Sequence, residues 1–420
     1  MSRRASSIRS VAPGAATVVA ALPVAAIGVI SAYLAALTAA AWKAFLGADS
    51  APGRRPALGV PTTSFTILVP AHDEERLVAD TVDHLVALDY PREMFDVHVV
   101  ADHCKDATAE IARGHGAAVL ENDDPAVRGK GAALGWAFGR LDSERAIRDV
   151  VVLIDADTSA GRGLLRAFDR RFAAGAAAVQ AYYAVRDPVA TPAVAMRAAA
   201  LAVRHYLRPL ARCSLGGTCG LFGNGMGFRA DVLRSRPLTG HLTEDLELQV
   251  ELILGGDVVE FVPEAVVEAE MPSTMEAART QNERWEGGRL DLAKRYLPQL
   301  VRSAVGRRAR RRFTKLDTAV DLMLPPFSVL VAATAASTGI ALVGARSGRL
   351  GRVVASIAVF NAAVQSVHVL SALRMVRAPA GVYRALAGAP RAVVWKVALW
   401  VRALTGRTDD GWIRTARNPA

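Results

Sequence analysis

Cysteine is scarce: the 420 residues hold three, Cys104, Cys213 and Cys219. Three is too few, and an odd number, for a disulfide framework, and none has CxxC spacing. A small secreted scaffold, a structural zinc site and a redox pair are all excluded as expectations. Lysine is scarce as well, with 6 Lys beside 45 Arg. Charged residues make up only 22% of the chain against 52% hydrophobic, with a mean hydropathy of +0.23. That composition excludes a disordered protein and is greasy for a soluble one. The net charge of +11 suits nucleic acid or an anionic membrane surface, and the placement of the arginines decides between them. The length suggests two or three structural units.

Charge is missing altogether from three long stretches. Val11 to Trp42 contains no charged residue, and Val18 to Trp42 alone exceeds bilayer-spanning length. Arg3, Arg4 and Arg9 precede it as in a signal peptide, but a signal's apolar region runs only about 7–15 residues. The expectation is an anchor helix. Leu322 to Ala345 and Val353 to Leu373 are two further spans, the first shortened by Pro325 and Pro326 at its mouth. The competing reading, three core helices of a soluble protein without one charge among them, is much the poorer.

The arginines crowd beside these spans. VRSAVGRRARRRFTK, ahead of the second, carries Arg302, Arg307, Arg308, Arg310, Arg311, Arg312 and Lys315. By the positive-inside rule that end is cytoplasmic, and so is the middle of the chain. Arg346, Arg349 and Arg352 oppose this from the other side, and the larger cluster decides. No nucleic-acid partner is expected. Beyond the last span, Arg384, Arg391 and Arg402 share one face of a helix over Val382–Leu404, with Trp395 and Trp400 as amphipathic anchors. That suits a helix in the membrane interface, or one packed on the soluble domain.

These boundaries give an N-terminal tail and anchor (1–46), a Pro/Gly/Arg-rich linker (47–63), a cytoplasmic domain (64–300) and a basic juxtamembrane segment (301–320). Two transmembrane helices (321–376) and an amphipathic helix with a basic tail (377–420) complete the chain. Within the domain, apolar runs alternate with helical patterns. Phe65–Val69 precedes a helix near Leu77–Leu88, Val97–Val100 one near Ala107–Arg113, and Val150–Ile154 one near Leu164–Phe172. This βαβα order predicts an α/β fold, a mostly parallel sheet with helices on both faces. Ligands then bind beyond the carboxyl ends of the strands.

Polar residues collect at those ends: Pro70-Ala71-His72-Asp73-Glu74, Ala101-Asp102-His103 and Asp155-Ala156-Asp157. In VVVLIDAD the two carboxylates stand where an apolar strand meets solvent. Hard oxygens there suit Mg²⁺ or Mn²⁺ on a diphosphate, or else cap the next helix. His241-Leu242-Thr243-Glu244-Asp245 opens a helix, and taken alone it is ordinary capping chemistry. QNERW is rarer: with 5 Gln, 45 Arg and 6 Trp, Q-x-x-R-W arises by chance in roughly one such chain in a hundred. Gln281 and Arg284 share a helical face with Trp285 beside them, a set suited to a sugar next to a phosphate.

Together these motifs resemble the membrane-bound family 2 glycosyltransferases of the cellulose synthase and hyaluronan synthase type. The resemblance covers Phe65 to about Leu290, the flanking spans and the Gly411–Arg417 tail. It implies a GT-A fold, a nucleotide-diphospho-sugar donor (commonly UDP), a divalent metal and inversion at the anomeric carbon. It assigns Ala71, Glu74, Asp102, Lys130 and Asp155 to the nucleotide sugar, and Asp155 and Asp157 to the metal. Asp245, in the TED motif, becomes the catalytic base. Asn224, in Gly223-Asn224-Gly225, joins Gln281, Arg284 and Trp285 on the acceptor. Where the family often has an Asp doublet, this chain has Ala101-Asp102. The implied activity is hexosyl transfer to a glycan acceptor in polysaccharide or oligosaccharide synthesis. The alternatives are a polyprenyl-phosphate or other lipid glycosyltransferase and a non-catalytic nucleotide-sugar-binding subunit. Finally, Asn361, Gln365 and His368 form one polar stripe in the third span. It either hydrogen-bonds the other spans or meets a second protomer or an export subunit along an acceptor path.

Overall fold

A computed structural model describes residues 13–47, 59–238, 244–274, 277, 279–306 and 310–404. The chain opens with α1 (Pro13–Leu46), which is long and apolar enough to cross a membrane. The catalytic-type sheet follows. β1 (Phe65–Ala71) leads through α2 (Val78–Val86) to β2 (Phe95–Asp102), then α3 (Thr108–Gly114), β3 (Ala118–Asn122) and α4 (Lys130–Ser143) to β4 (Val150–Leu153). These are right for parallel strands: β1 and β4 are apolar on both faces, as strands covered on both sides must be. β5 (Thr158–Ala160) and α5 (Leu164–Ala173) precede β6 (Ala178–Val185).

The second half is reached through an unbroken helical rod: α6 (Pro192–Ala202), a π-turn (Val203–Leu207) and α7 (Arg208–Ser214). Thr191 caps its start, accepting from Val194 N at 3.2 Å. Pro209 explains the π-turn. Its missing N–H and its ring conflict with an ordinary α turn, and widening the ladder so that Arg208 N reaches back to Val203 O relieves that. β7 (Met226–Arg229), α8 (Ala230–Ser235), α9 (Glu244–Gly255) and β8 (Val259–Ala269) complete the sheet.

Strand order is β3-β2-β1-β4-β7-β6-β8-β5. β1, β2, β3 and β4 are parallel, β6 and β8 run the same way, and β7 and β5 are reversed. The sheet is mostly parallel, with helices on both faces and membrane helices flanking it. Apolar residues of β1, β2, α2 and α5 fill one face. On the other, Tyr182 and Phe228 pack with Tyr206 and Leu210 of the rod and with Leu37, Leu373 and Met375 of the membrane helices. Bundle and sheet therefore share one core.

α10 (Arg279–Val305) and α11 (Arg312–Met323) lead to α12 (Phe327–Gly344) and α13 (Arg349–Met375), two more helices able to cross a membrane. Pro325 and Pro326 delay the start of α12 to Phe327, as their position in the sequence suggests. α14 (Ala380–Ala385) and α15 (Ala389–Leu404) end the described chain. The single helix expected over Val382–Leu404 is broken by a 3₁₀ turn at Leu386–Gly388, where Gly388 and Pro390 disfavour continuous helix. α15 lies along α12 and α10, and Lys396 Nζ donates to Asn282 Oδ1 at 2.5 Å.

The polar stripe of α13 is consumed inside the bundle. Asn361 Nδ2 donates to Val24 O (3.0 Å), Gln365 Nε2 to Thr334 Oγ1 (2.8 Å), and His368 Nδ1 pairs with Thr38 Oγ1 (2.8 Å). All three side chains are buried. Of the two readings of the stripe, these bonds match hydrogen bonding to the other spans: polar groups at membrane depth are satisfied by the nearest helix.

Candidate active site

The carboxyl ends of β1, β2 and β4 meet at one edge, and their loops are pinned before any ligand arrives. β1 ends at Ala71, whose carbonyl accepts from Cys104 Sγ at 3.4 Å. Glu74 is buried, its N–H bonded to Thr108 Oγ1, and its carbonyl opens α2. Asp102 closes β2; its Oδ1 accepts from Asn122 Nδ2 at 2.7 Å and lies 2.8 Å from His103 Nδ1. Asp73, Cys104 and Asp106 cluster nearby. Their carboxylates already accept backbone N–H groups, Asp73 from Lys105 and Asp106 from Glu75 and Thr108, so the cluster clasps two loops together.

The Asp155-Ala156-Asp157 turn is held from three sides. Asp155 N donates to Asn224 Oδ1 (3.1 Å), Thr81 Oγ1 to Ala156 O (2.8 Å), and Arg186 Nη2 to Asp157 O (3.4 Å). With main chain fixed this way, both carboxylates stay at the strand end. Asn224 is fully buried, and its Nδ2 donates to Thr158 Oγ1 at 2.8 Å. Its place on the acceptor is therefore corrected: Asn224 sits beneath the turn and braces it, because both ends of its amide are engaged inside the protein.

Lys130 begins α4 and reaches across the sheet edge. Its Nζ contacts the Asp155 carboxylate and donates to Gly223 O at 2.5 Å. Gly223 has φ +76°, a conformation that favours glycine. A Cβ there would lie 3.5 Å from an Asp245 carboxylate oxygen and 3.7 Å from Lys130 Nζ. Lys130, Asp155 and Asp245 thus converge around one glycine, from α4, β4 and α9. Burial pushes the Asp245 carboxyl above its usual range, against the opposing pull of the Leu246 N–H (2.8 Å) and Lys130. Thr243, its expected cap, lies outside the described residues.

The backbone places Gln281, Arg284 and Trp285 on the first turns of α10; their side chains lie outside the described residues. α10 is fastened to the Asp245 helix about three turns further on. Glu247 of α9 accepts from Arg295 Nη1 (2.8 Å) and Tyr296 Oη (2.9 Å).

Several residues here escaped the sequence reading. Gln180 of β6 is buried and donates to Asn224 O (2.8 Å) while accepting from Phe222 N (3.1 Å), which shapes the Gly223 loop. A lone Gln in the apolar run AVQAYYAV is the signal that marks it. His205, in the π-turn, stacks between Tyr183 and Phe222 with centroids 5.2 and 4.2 Å away. Burial and the neighbouring Arg204 push its imidazole down to about 3, so the ring is neutral.

The family signature "Glycosyltransferase like family 2" matches residues 61–288, more than half the chain. The chain belongs to the family 2 glycosyltransferases. Being one, it is an enzyme, with Lys130, Asp155, Asp157 and Asp245 all inside the matched region. Over 243 residues this glycosyltransferase is 30% identical to a beta-monoglucosyldiacylglycerol synthase of Synechocystis, covering 54% of this chain and 48% of that protein. A protein of the same name from Nostoc is 28% identical over 235 residues, 53% of this chain and 48% of the relative. The chain spans about half the length of these relatives. Among solved structures, the Pyrobaculum calidifontis mannosyltransferase PcManGT, in complex with GDP-Man and Mn²⁺, superposes with a TM-score of 0.50 at 18% identity. That superposition covers 84% of this chain and 99% of that one, and it supports the GT-A fold.

Proposed function

We propose that this glycosyltransferase transfers a hexose from a nucleotide-diphospho-sugar, with inversion, to a hydroxyl of a membrane lipid of the diacylglycerol class. The observation that carries the chemistry is the convergence of Lys130, Asp155 and Asp245 around Gly223. Asp245 takes the proton of the attacking hydroxyl, and its raised basicity suits that role. One base suffices for direct displacement at C1. Lys130 faces the diphosphate and meets the charge that develops on the leaving group. In this reading Ala71, Glu74 and Asp102 serve the nucleotide, and Gln281, Arg284 and Trp285 the acceptor.

The Asp155 and Asp157 carboxylates, on a main-chain turn that is already fixed, make a hard-oxygen donor set that fits Mg²⁺ or Mn²⁺, with Asp155 also paired to Lys130. A divalent cation held by Asp155 and Asp157 would neutralise the diphosphate. The loop clasp of Asp73, Cys104 and Asp106 fits an ion less well, because its oxygens are already occupied.

A lipid acceptor is favoured over the glycan expected from the motifs for two reasons. The polar stripe of α13 is satisfied within the bundle, which removes the feature that suggested a glycan path. Two of the relatives the chain resembles, over about half their length, are glycolipid synthases by name. The catalytic domain is assigned to the cytoplasm. Arg310, Arg311, Arg312 and Lys315 lie on its side of the bundle, where the positive-inside rule places them.

The test is a panel of radiolabelled nucleotide sugars, UDP-glucose first, given to the full chain in vesicles containing diacylglycerol. Label should pass to the organic phase. Label in a water-soluble polymer would return the reading to a glycan synthase, and no transfer from any donor would leave a binding subunit.

A further inference from the structure

A cleft of about 550 Å³ opens where the last membrane helix meets the catalytic sheet. Tyr182 of β6 and Val266 of β8 form one wall, Leu201 of α6 a second, and Leu373, Val376 and Val382, at and after the end of α13, a third. The volume falls in the range of small-ligand clefts, about 300–1,000 Å³. Leu201, Leu373 and Val382 are buried, whereas Arg162 and Glu268 are exposed and His84 and Ser159 half-buried, so the deepest part of the cleft is apolar and its rim polar. A floor of that kind stays dry and accepts an apolar guest.

The cleft adjoins the end of a membrane helix, for Leu373 of its lining stands in the last turns of α13. Leu370 stands one helical turn before Leu373 and is 46% exposed on the surface of α13 that faces lipid. A chain leaving the bilayer along α13 passes Leu370 before it reaches the apolar lining at Leu373 and Val376. Hydrocarbon tails are also the most concentrated apolar species there, and they lose no hydrophobic contact on entering. A small soluble ligand has neither advantage.

The cleft is not the reaction site. Successive residues of a strand face opposite sides of the sheet. Tyr182 and Ala184 line the cleft from one face of β6, whereas Tyr183 between them feels the charges of Asp157 and Asp155; only at the end of the strand does Val185 reach the cleft too. β6 separates the two.

We propose that this cleft holds one acyl chain of a bilayer phospholipid, a resident lipid that fastens the catalytic sheet to the membrane. The test places the full chain in vesicles of dioleoylphosphatidylcholine doped with a phosphatidylcholine carrying a diazirine at the end of one acyl chain. After irradiation, peptides within Tyr182–Leu201 should be labelled, although that segment belongs to the catalytic domain. Ala198→Phe, which fills the cleft, should reduce that label to background while the label on Val367 and Leu370 persists. If Ala198→Phe fails to insert, Leu373→Trp fills the cleft from the membrane side and should give the same loss. Excess dioleoylglycerol should leave the label unchanged. Absence of label in Tyr182–Leu201, persistence of that label in a filled variant that inserts normally, or displacement by dioleoylglycerol would each overturn the assignment. The readout needs no turnover, so it stands or falls independently of the proposed reaction.

Discussion

Arg212 of α7 and Asp317 of α11 form an ion pair of 2.6 Å with side chains only 4% and 3% exposed. The pair is the centre of a junction. Tyr33 of α1 donates to the other Asp317 oxygen at 2.8 Å, Arg212 also meets Asp321 at 3.4 Å, and Arg208 forms a closer pair with Asp321. Arg289 of α10 donates to Asp321 O (2.7 Å) and Leu324 O (2.5 Å), capping the last carbonyls of α11. One cluster therefore joins a membrane helix, the rod beneath the sheet and the helix that carries Gln281, Arg284 and Trp285. Asp317→Ala leaves Arg212 buried with half its partners gone, and should cost about 3–5 kcal/mol of stability. Thermal denaturation in detergent checks this. The paired change Arg212→Met with Asp317→Leu should recover much of the loss, since removing both charges removes the unpaired one.

Asp245→Asn should reduce kcat by about 10²-fold or more while leaving donor affinity near wild type. The change is nearly isosteric and keeps an acceptor for the Leu246 N–H. Nucleotide-sugar binding by calorimetry and turnover by product counting separate the two effects. A variant that keeps more than about a tenth of wild-type kcat removes Asp245 as the base.

The pH profile should carry the same group. A base works deprotonated, so activity falls as pH drops through its pKa. Burial raises that pKa for Asp245, so the acid limb of kcat should lie above the ordinary carboxylate range. Lys130→Met removes a neighbouring cation that opposes the rise, and should move the limb higher still. A limb that stays at ordinary carboxylate pH in both proteins contradicts the assignment.

Asp157→Ala should abolish any dependence of donor binding on Mg²⁺ or Mn²⁺, and a chelator should inhibit the wild type. Full activity in chelator removes the metal. Asn224→Ala is expected to act differently. It takes the bond from the Asp155 main chain without removing a carboxylate, so metal dependence should survive with a weakened donor affinity.

Much of this was legible in the sequence, for identifiable reasons. β1 and β4 are nearly unbroken apolar runs with acids just beyond their ends, as buried parallel strands tend to be, and β2 alternates before its apolar end at Asp102. The three uncharged stretches declare themselves by length alone. β7 was illegible because MGFR is four residues long with no alternation to read. The role of Asn224 was misplaced because a loop sequence does not say which way an amide points. The π-turn at Val203–Leu207 left one trace, Pro209, and a proline inside a helical run reads equally well as a kink or an end.

Asn361, Gln365 and His368 give the last expectation, and its magnitude decides between two readings. Each makes its hydrogen bond to another helix of the same bundle. Hydrogen bonds between membrane helices average about 0.6 kcal/mol and reach about 1.7. Single replacements by Leu should therefore lower stability modestly, and the triple replacement by no more than about 2–5 kcal/mol if the terms add. His368→Leu should be the most costly, because the ring also lies 6.2 Å from Phe327 at the mouth of α12. Transfer by each folded variant should match wild type in rate and product, since the stripe holds helices together and touches no substrate. Unfolding of the triple variant, followed in detergent beside its turnover in vesicles, measures both. A change in product with stability intact would put the stripe back on an acceptor path.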